Sequence, residues 1–187
     1  MRRRGLTIRR KGSIMETKKG EIVSTVRDRI LRESIESLRR EGLKFSVDTL
    51  ADRLKISKKT VYKFFPDKEA LALALYETYY ADAKAQATAL LDADGRDACT
   101  ALLRLYFDAK VMTRGEIFNK YKLNQTIYAY AVGQNDALWE TITASFDGGR
   151  SDEDRRTFRI IVDGAFEKLC QTRLAPDAVI ERLVQLV

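Results

Sequence analysis

Two short amphipathic stretches, each opened by a serine and separated by only three residues, constrain this chain more than any other feature. They lie in Phe45–Lys68, FSVDTLADRLKISKKTVYKFFPDK. In the first, Ser46 is a good N-cap, and Val47, Leu50, Ala51 and Leu54 follow at helical spacing. Phe45 and Leu50 occupy the positions of a hydrophobic staple. The second stretch repeats the grammar. Ser57 caps it, Ile56 and Val61 form its staple, and Val61, Phe64 and Phe65 supply its apolar side. Two capped helices joined by Lys55-Ile56-Ser57 make a helix-turn-helix, with Lys58, Lys59, Tyr62 and Lys63 facing outward on the second helix.

Charge is distributed in keeping with that motif. The net charge is +7. Residues 1–71 hold 20 Lys/Arg against 10 Asp/Glu, whereas residues 72–187 hold 14 against 17. One part of the chain is thus suited to a polyanion, nucleic acid ahead of an anionic membrane surface, and the rest is not. The chain has no histidine, which removes the commonest general base and zinc ligand together. No carboxylate pair, nucleophile or phosphate-binding motif stands out. The expectation is a protein that is not an enzyme and uses no metal or cofactor. No apolar run is long enough to cross a membrane, and no apolar segment follows the basic N-terminus to make a secretory signal. Cys99 and Cys170 lie among apolar residues and read as buried thiols of a reducing cytoplasm. At 187 residues, folding buries about 70% of the unfolded chain's surface without help from a crosslink.

The pattern along the chain is helical throughout, giving an all-α fold of about nine helices. Residues 1–20 carry eight basic residues and three glycines, and read as a flexible basic arm. METKKGEIV from Met15 would also make an ordinary start. A first helix spans about Glu21–Glu41, with Val23, Val26, Ile30, Leu31, Ile35 and Leu38 on one stripe and Gly42 as its stop. After the helix-turn-helix, Asp67 caps a long helix reaching about Leu91. Further helices are expected over about 96–111, around Ile117–Tyr121, and over 123–146, where Gly133, Asn135 and Asp136 suggest an interruption. Ser151 and three following acids open a helix to about Arg173, and Pro176 opens the last.

Residues 23–83 resemble the N-terminal DNA-binding domain of the TetR family of bacterial transcriptional regulators. The family pattern is roughly I-A-x-x-x-G-V-S-x-x-x-x-Y-x-x-F-x-x-K after a glycine-ended helix. This chain offers Gly42, Leu50-Ala51, Ile56-Ser57, Tyr62, Phe65 and Lys68, followed by Glu69-Ala70-Leu71, with unbroken spacing. One position departs from it: Lys55 stands where glycine is usual. Either the lysine takes a left-handed conformation, at about 1 kcal/mol, or the turn relaxes.

The resemblance implies an arm over 1–20, a DNA-binding domain over 21–83 with its helix-turn-helix at 46–65, and a regulatory and dimerisation domain over 84–187. It further implies a cytoplasmic homodimer on a near-palindromic double-stranded DNA operator, acting as a repressor released by a small molecule. The alternative is an inducer-independent dimer acting architecturally or through a protein partner. Tyr62 and Lys68 would hold phosphates, by the resemblance. From helix-turn-helix geometry, Ser46 and Thr49 reach backbone or base edges, Lys59 and Thr60 read bases, and Ser57, Lys58 and Lys63 complete the DNA-facing set. The implied ligand pocket would draw on Tyr106, Phe107, Phe118, Tyr121, Tyr128, Trp139 and Phe166. The implied dimer interface would use Phe158, Ile161, Val162, Gly164, Ala165, Leu169, Ile180, Leu183 and Val184.

Overall fold

A computed structural model describes residues 13–41, 46–91, 95–114, 125–144, 151–172 and 174–186, with side-chain surroundings from residue 26 onward, Glu41 excepted. Eight helices and no strand occur among the described residues, in keeping with an all-α chain. The ninth expected helix, around Ile117–Tyr121, lies outside them, as do Gly42 and Phe45. The chain divides into two compact units, residues 1–66 and 67–187. Residue 83, placed at a domain boundary on sequence grounds, falls inside a helix.

The first unit holds α1 (Ser13–Glu41), α2 (Val47–Leu54) and α3 (Lys58–Phe64). Helix α1 begins eight residues before the expected start, so residues 13–20 continue it instead of forming an arm. Met15, Glu16, Lys18 and Lys19 are strong helix formers, and a single glycine, Gly20, costs only about 1 kcal/mol inside a helix. The apolar stripe buries Ile30, Leu31, Ile35 and Leu38, which form a core with Val47, Leu50, Ala51, Val61 and Phe65. α1 packs on α2, and α2 on α3. Polar groups reinforce the first contact. Arg53 of α2 donates to the buried Ser37 hydroxyl at 2.7 Å and lies 3.7 Å from Glu33, which also pairs with Arg40 at 3.0 Å. The Arg27 guanidinium covers the Phe65 ring at 5.4 Å.

The second unit comprises α4 (Lys68–Leu91), α5 (Arg96–Met112), α6 (Gln125–Thr143), α7 (Asp152–Cys170) and α8 (Pro176–Val184). Asp67 caps α4 as expected, its carboxylate accepting the Ala70 amide at 2.7 Å. α4 packs on both α5 and α6, and α5 also meets α6 and α8. Tyr76 and Tyr80 of α4 donate to the carbonyls of Met112 and Ala109 at 2.8 and 3.4 Å. Those carbonyls belong to the last turn of α5 and have no partner within their own helix. α6 runs unbroken through Gly133, Asn135 and Asp136, since one glycine and two short polar residues are a modest penalty inside a packed helix. Ser151 and Asp154 form a full capping box at the start of α7, and Pro176 occupies the first turn of α8. Cys99 and Cys170 are half-buried, not fully buried, and burial raises the Cys99 thiol pKa.

Candidate nucleic-acid interface and helical cavity

Each helix of the α2–α3 pair starts on the same device. Ser46 accepts the Thr49 amide at 3.1 Å, and the two hydroxyls lie 2.9 Å apart. Ser57 accepts the Thr60 amide at 3.0 Å, again with hydroxyls 2.9 Å apart. These bonds occupy otherwise orphaned helix N–H groups, so both serines act first as caps.

The turn between the helices rests on Lys55, whose φ of 54° and ψ of 43° are left-handed. It is the single non-glycine residue with positive φ among the described residues. The Ile56 amide donates to the Ala51 carbonyl at 3.0 Å and the Lys55 amide to the Asp52 carbonyl at 3.1 Å. These two bonds define a Schellman termination, which closes α2 and aims the chain into α3. The turn therefore keeps the glycine-type geometry with a lysine in it.

α3 turns Val61 inward at 1% exposure, while Lys58, Lys59 and Lys63 are exposed and Tyr62 is 38% exposed. Thr60 is half-buried, as are Ser46 and Thr49, and Ser57 is exposed. Lys68 is exposed on the first turn of α4 in the second unit. One partner went unnoticed in the sequence: Asp48 of α2 forms an ion pair with Lys58. That hydrogen bond raises the Lys58 pKa. It also leaves Lys58 tied to α2, so the unengaged cationic edge of α3 consists of Lys59 and Lys63. The arrangement is a short capped helix presenting lysines and a tyrosine on a basic unit, suited to phosphates and base edges.

The second unit carries a half-open cavity of about 550 Å³. Of the seven aromatic residues nominated for it, Tyr106, Tyr128 and Phe166 line the wall. Trp139 is buried behind Tyr106, with ring centroids 4.8 Å apart, and Phe107 packs edge-on to Phe166 at 5.5 Å. Phe118 and Tyr121 lie outside the described residues. The rest of the lining is largely polar, with Lys110, Arg114, Asp136, Arg159 and Glu167, a charged set missing from the sequence reading. Asp163 Oδ1 accepts the Tyr106 hydroxyl and the Lys110 ammonium, both at 2.9 Å, and Arg159 pairs with Asp136. Burial first, and then Asp163, raise the Tyr106 pKa. Burial opposes the Arg159 charge, but Asp136, Tyr106 and Asp163 together more than compensate, and its pKa is raised. The available signal was two i,i+4 pairs, Tyr106/Lys110 and Arg159/Asp163.

The nominated interface residues separate into two groups. Phe158, Val162, Ile180, Leu183 and Val184 are buried within the chain; periodicity does not distinguish an inner apolar face from an outer one. Ile161 and Gly164 are exposed, and Ala165 and Leu169 half-buried. Beside them stands Ile160, 72% exposed. Among the described residues, no three His, Cys, Asp or Glu side chains could hold a metal ion together, and no helix is long and apolar enough to cross a membrane.

Residues 30–75 match the family model described as bacterial regulatory proteins, tetR family. No curated protein matches the chain. Solved structures share the fold at low identity. A TetR transcription regulatory protein from Mycobacterium vanbaalenii is 22% identical, with 87% of this chain and 96% of that one covered at a TM-score of 0.58. A TetR-family transcriptional regulator from Bordetella parapertussis 12822 is 17% identical, with 86% and 93% covered at 0.54. The superantigen PfiT is 19% identical, with 86% and 95% covered at 0.59, so the fold also serves a protein named for another activity. Replacing Lys55 by glycine in the left-handed turn should stabilise the protein by about 1 kcal/mol, read as a higher urea midpoint at unchanged slope. From the match over residues 30–75 and the shared fold, the chain carries the N-terminal domain of the tetR family of bacterial regulatory proteins and has the fold of TetR-family regulators.

Proposed function

We propose that this protein is a dimeric, sequence-specific DNA-binding regulator of the cytoplasm, a repressor released from a near-palindromic operator by a small molecule. The observation that carries the reading is the exposed edge of α3, with Lys59, Tyr62 and Lys63 displayed from a helix fixed by two caps and a closed turn. Inserted into a major groove, α3 reads bases through Lys59 and the Thr60 methyl, while Tyr62 and Lys63 hold phosphates. Thr60 is limited to that methyl as long as its hydroxyl stays with Ser57. Lys68 adds a phosphate contact from the start of α4. Lys58 contributes fully once Asp48 releases it.

Dimerisation rests on the outer face of α7. Ile160, Ile161 and Gly164 lie at i,i+4 and i,i+3 spacing, and a Cβ on Gly164 would meet nothing within 4 Å, which leaves room for close approach of a second helix. Leu174 and Leu186, 67% and 54% exposed, extend the apolar surface near α8. A two-fold dimer on successive half-sites has its recognition helices about 34–36 Å apart, one turn of DNA. The cavity supports release by a ligand over an inducer-independent dimer, because Arg159 lines it from the same helix whose outer face carries Ile160 and Ile161.

Binding to an operator duplex should fall steeply with salt, with a log–log slope of about −0.9 per phosphate contact. Tyr62→Phe and Lys68→Ala should weaken all duplexes about equally and flatten that slope, whereas Lys59→Ala and Thr60→Ala should change which sequence is preferred. A salt-independent affinity would contradict DNA binding through these residues. On sedimentation at micromolar concentration the protein should run as a dimer and Ile161→Asp as a folded monomer; an Ile161→Asp dimer would displace the interface from α7.

A further inference from the structure

Helix α7 has two opposite faces. Phe158, Val162 and Phe166 turn inward and are buried, whereas Glu153, Thr157, Ile160, Gly164, Glu167 and Gln171 are all exposed. At about 3.6 residues per turn these six fall within about 80° of arc. They follow one another alternately four and three residues apart, the spacing of a seam along which two helices lie side by side. Its middle holds Ile160 and Gly164, with Ile161 on one edge. Gly164 has no reason inside the chain to be glycine. Glycine weakens a helix relative to alanine, and an added Cβ here would meet nothing within 4 Å. A close neighbour outside the chain supplies the reason.

Charges bracket the seam. Glu153 and Arg156 precede Ile160, Glu167 and Lys168 follow Gly164, and all four are exposed. The ion pairs that α7 makes among the described residues use Asp152, Arg155, Arg159 and Asp163, and none of these four. Arg156 and Glu167 lie on the same edge of the seam. When a two-fold axis relates two antiparallel copies of one helix, like edges meet, and residues equally far on either side of the axis face each other. An axis at the level of Ile161 puts Arg156, five residues before it, opposite the partner's Glu167, six residues after it. Glu153 and Lys168, eight before and seven after, come together in the same way, and Thr157 lies over the partner's Gly164. The one-residue mismatches amount to about 1.5 Å along the helix, within reach of these side chains. A parallel pair instead sets each central residue against its own copy, including Glu153 on Glu153.

We infer that α7 meets the α7 of a second copy of this chain antiparallel, crossing at Ile160 and Ile161, with Arg156 paired to the partner's Glu167 and Glu153 to the partner's Lys168. The charge pattern selects this partner over helices that carry other charges. Because Glu167 also lines the cavity, the partner's Arg156 stands at the cavity rim. This rests on the reading of the outer face of α7 as the dimer contact, and gives that contact its direction and register.

Charge reversal in the full-length chain tests the pairing, through Arg156→Glu, Glu167→Arg and the chain carrying both. Dimer dissociation constants come from a dilution series by sedimentation at low ionic strength, with circular dichroism to verify that each variant is folded. Either single variant should dimerise at least about tenfold more weakly than wild type, since two attractive pairs become repulsive. An equimolar mixture of the two should recover the wild-type affinity, because each reversed charge then faces the other. The doubly reversed chain should dimerise with itself as wild type does. High salt should shrink all these differences. Single variants that dimerise as tightly as wild type, or a mixture that recovers nothing, overturn the antiparallel pairing. With Ile161→Asp monomeric in the same experiment, the contact stays on α7 and only its direction falls. A monomeric wild type overturns the dimer reading and this inference together.

Discussion

The left-handed backbone at Lys55 is the constraint on which the N-terminal unit depends. Helix α2 is eight residues long and α3 seven, too short to persist alone. Their relative direction is set where α2 stops. The paired bonds from Ile56 to Ala51 and from Lys55 to Asp52 stop it, and Ser57 restarts the chain with its own cap two residues later. Val61 and Phe65 then reach the core formed with α1, and the lysines of α3 are left outside as a geometric consequence. A side chain other than glycine at this position adds strain but no new geometry. The core contacts and the Arg53–Ser37–Glu33 link outweigh that strain.

The second unit is governed by a different balance, between apolar burial and a small number of matched charges. Its helices pack through aromatic and aliphatic side chains. The Tyr106–Asp163–Lys110 and Asp136–Arg159 contacts are directional. They pin α5, α6 and α7 to one arrangement around the cavity. Because α7 turns this polar side inward and Ile160 and Ile161 outward, a change in the cluster is felt at the proposed dimer face without a long relay.

The two units differed in how far they could be read from residues alone. The N-terminal motif was legible because its determinants are local: a serine before each helix, apolar spacing within one turn, and a three-residue gap. Each of those features reappears as a specific hydrogen bond or buried side chain. Asp48 escaped notice because its pairing with Lys58 crosses between helices. The start of α1 was misplaced because charge and glycine suggested an arm where helix propensity prevailed. In the second unit, helix positions followed from periodicity, but facing did not. Phe158 and Val162 proved to be internal, and Ile160, off the chosen stripe, proved to be the exposed residue. The cavity's aromatics were recognisable as a type, whereas Lys110 and Asp163 acquire meaning only through neighbours on other helices.

If α3 reads DNA bases from a two-fold dimer, the preferred duplex carries the same symmetry. The most direct measurement is selection of bound duplexes from a randomised pool by the full-length protein. One near-palindromic sequence should be enriched, with half-sites centred about 10 base pairs, or a multiple, apart. Recovery of a pool with no enriched sequence, or of single half-sites without symmetry, would contradict it.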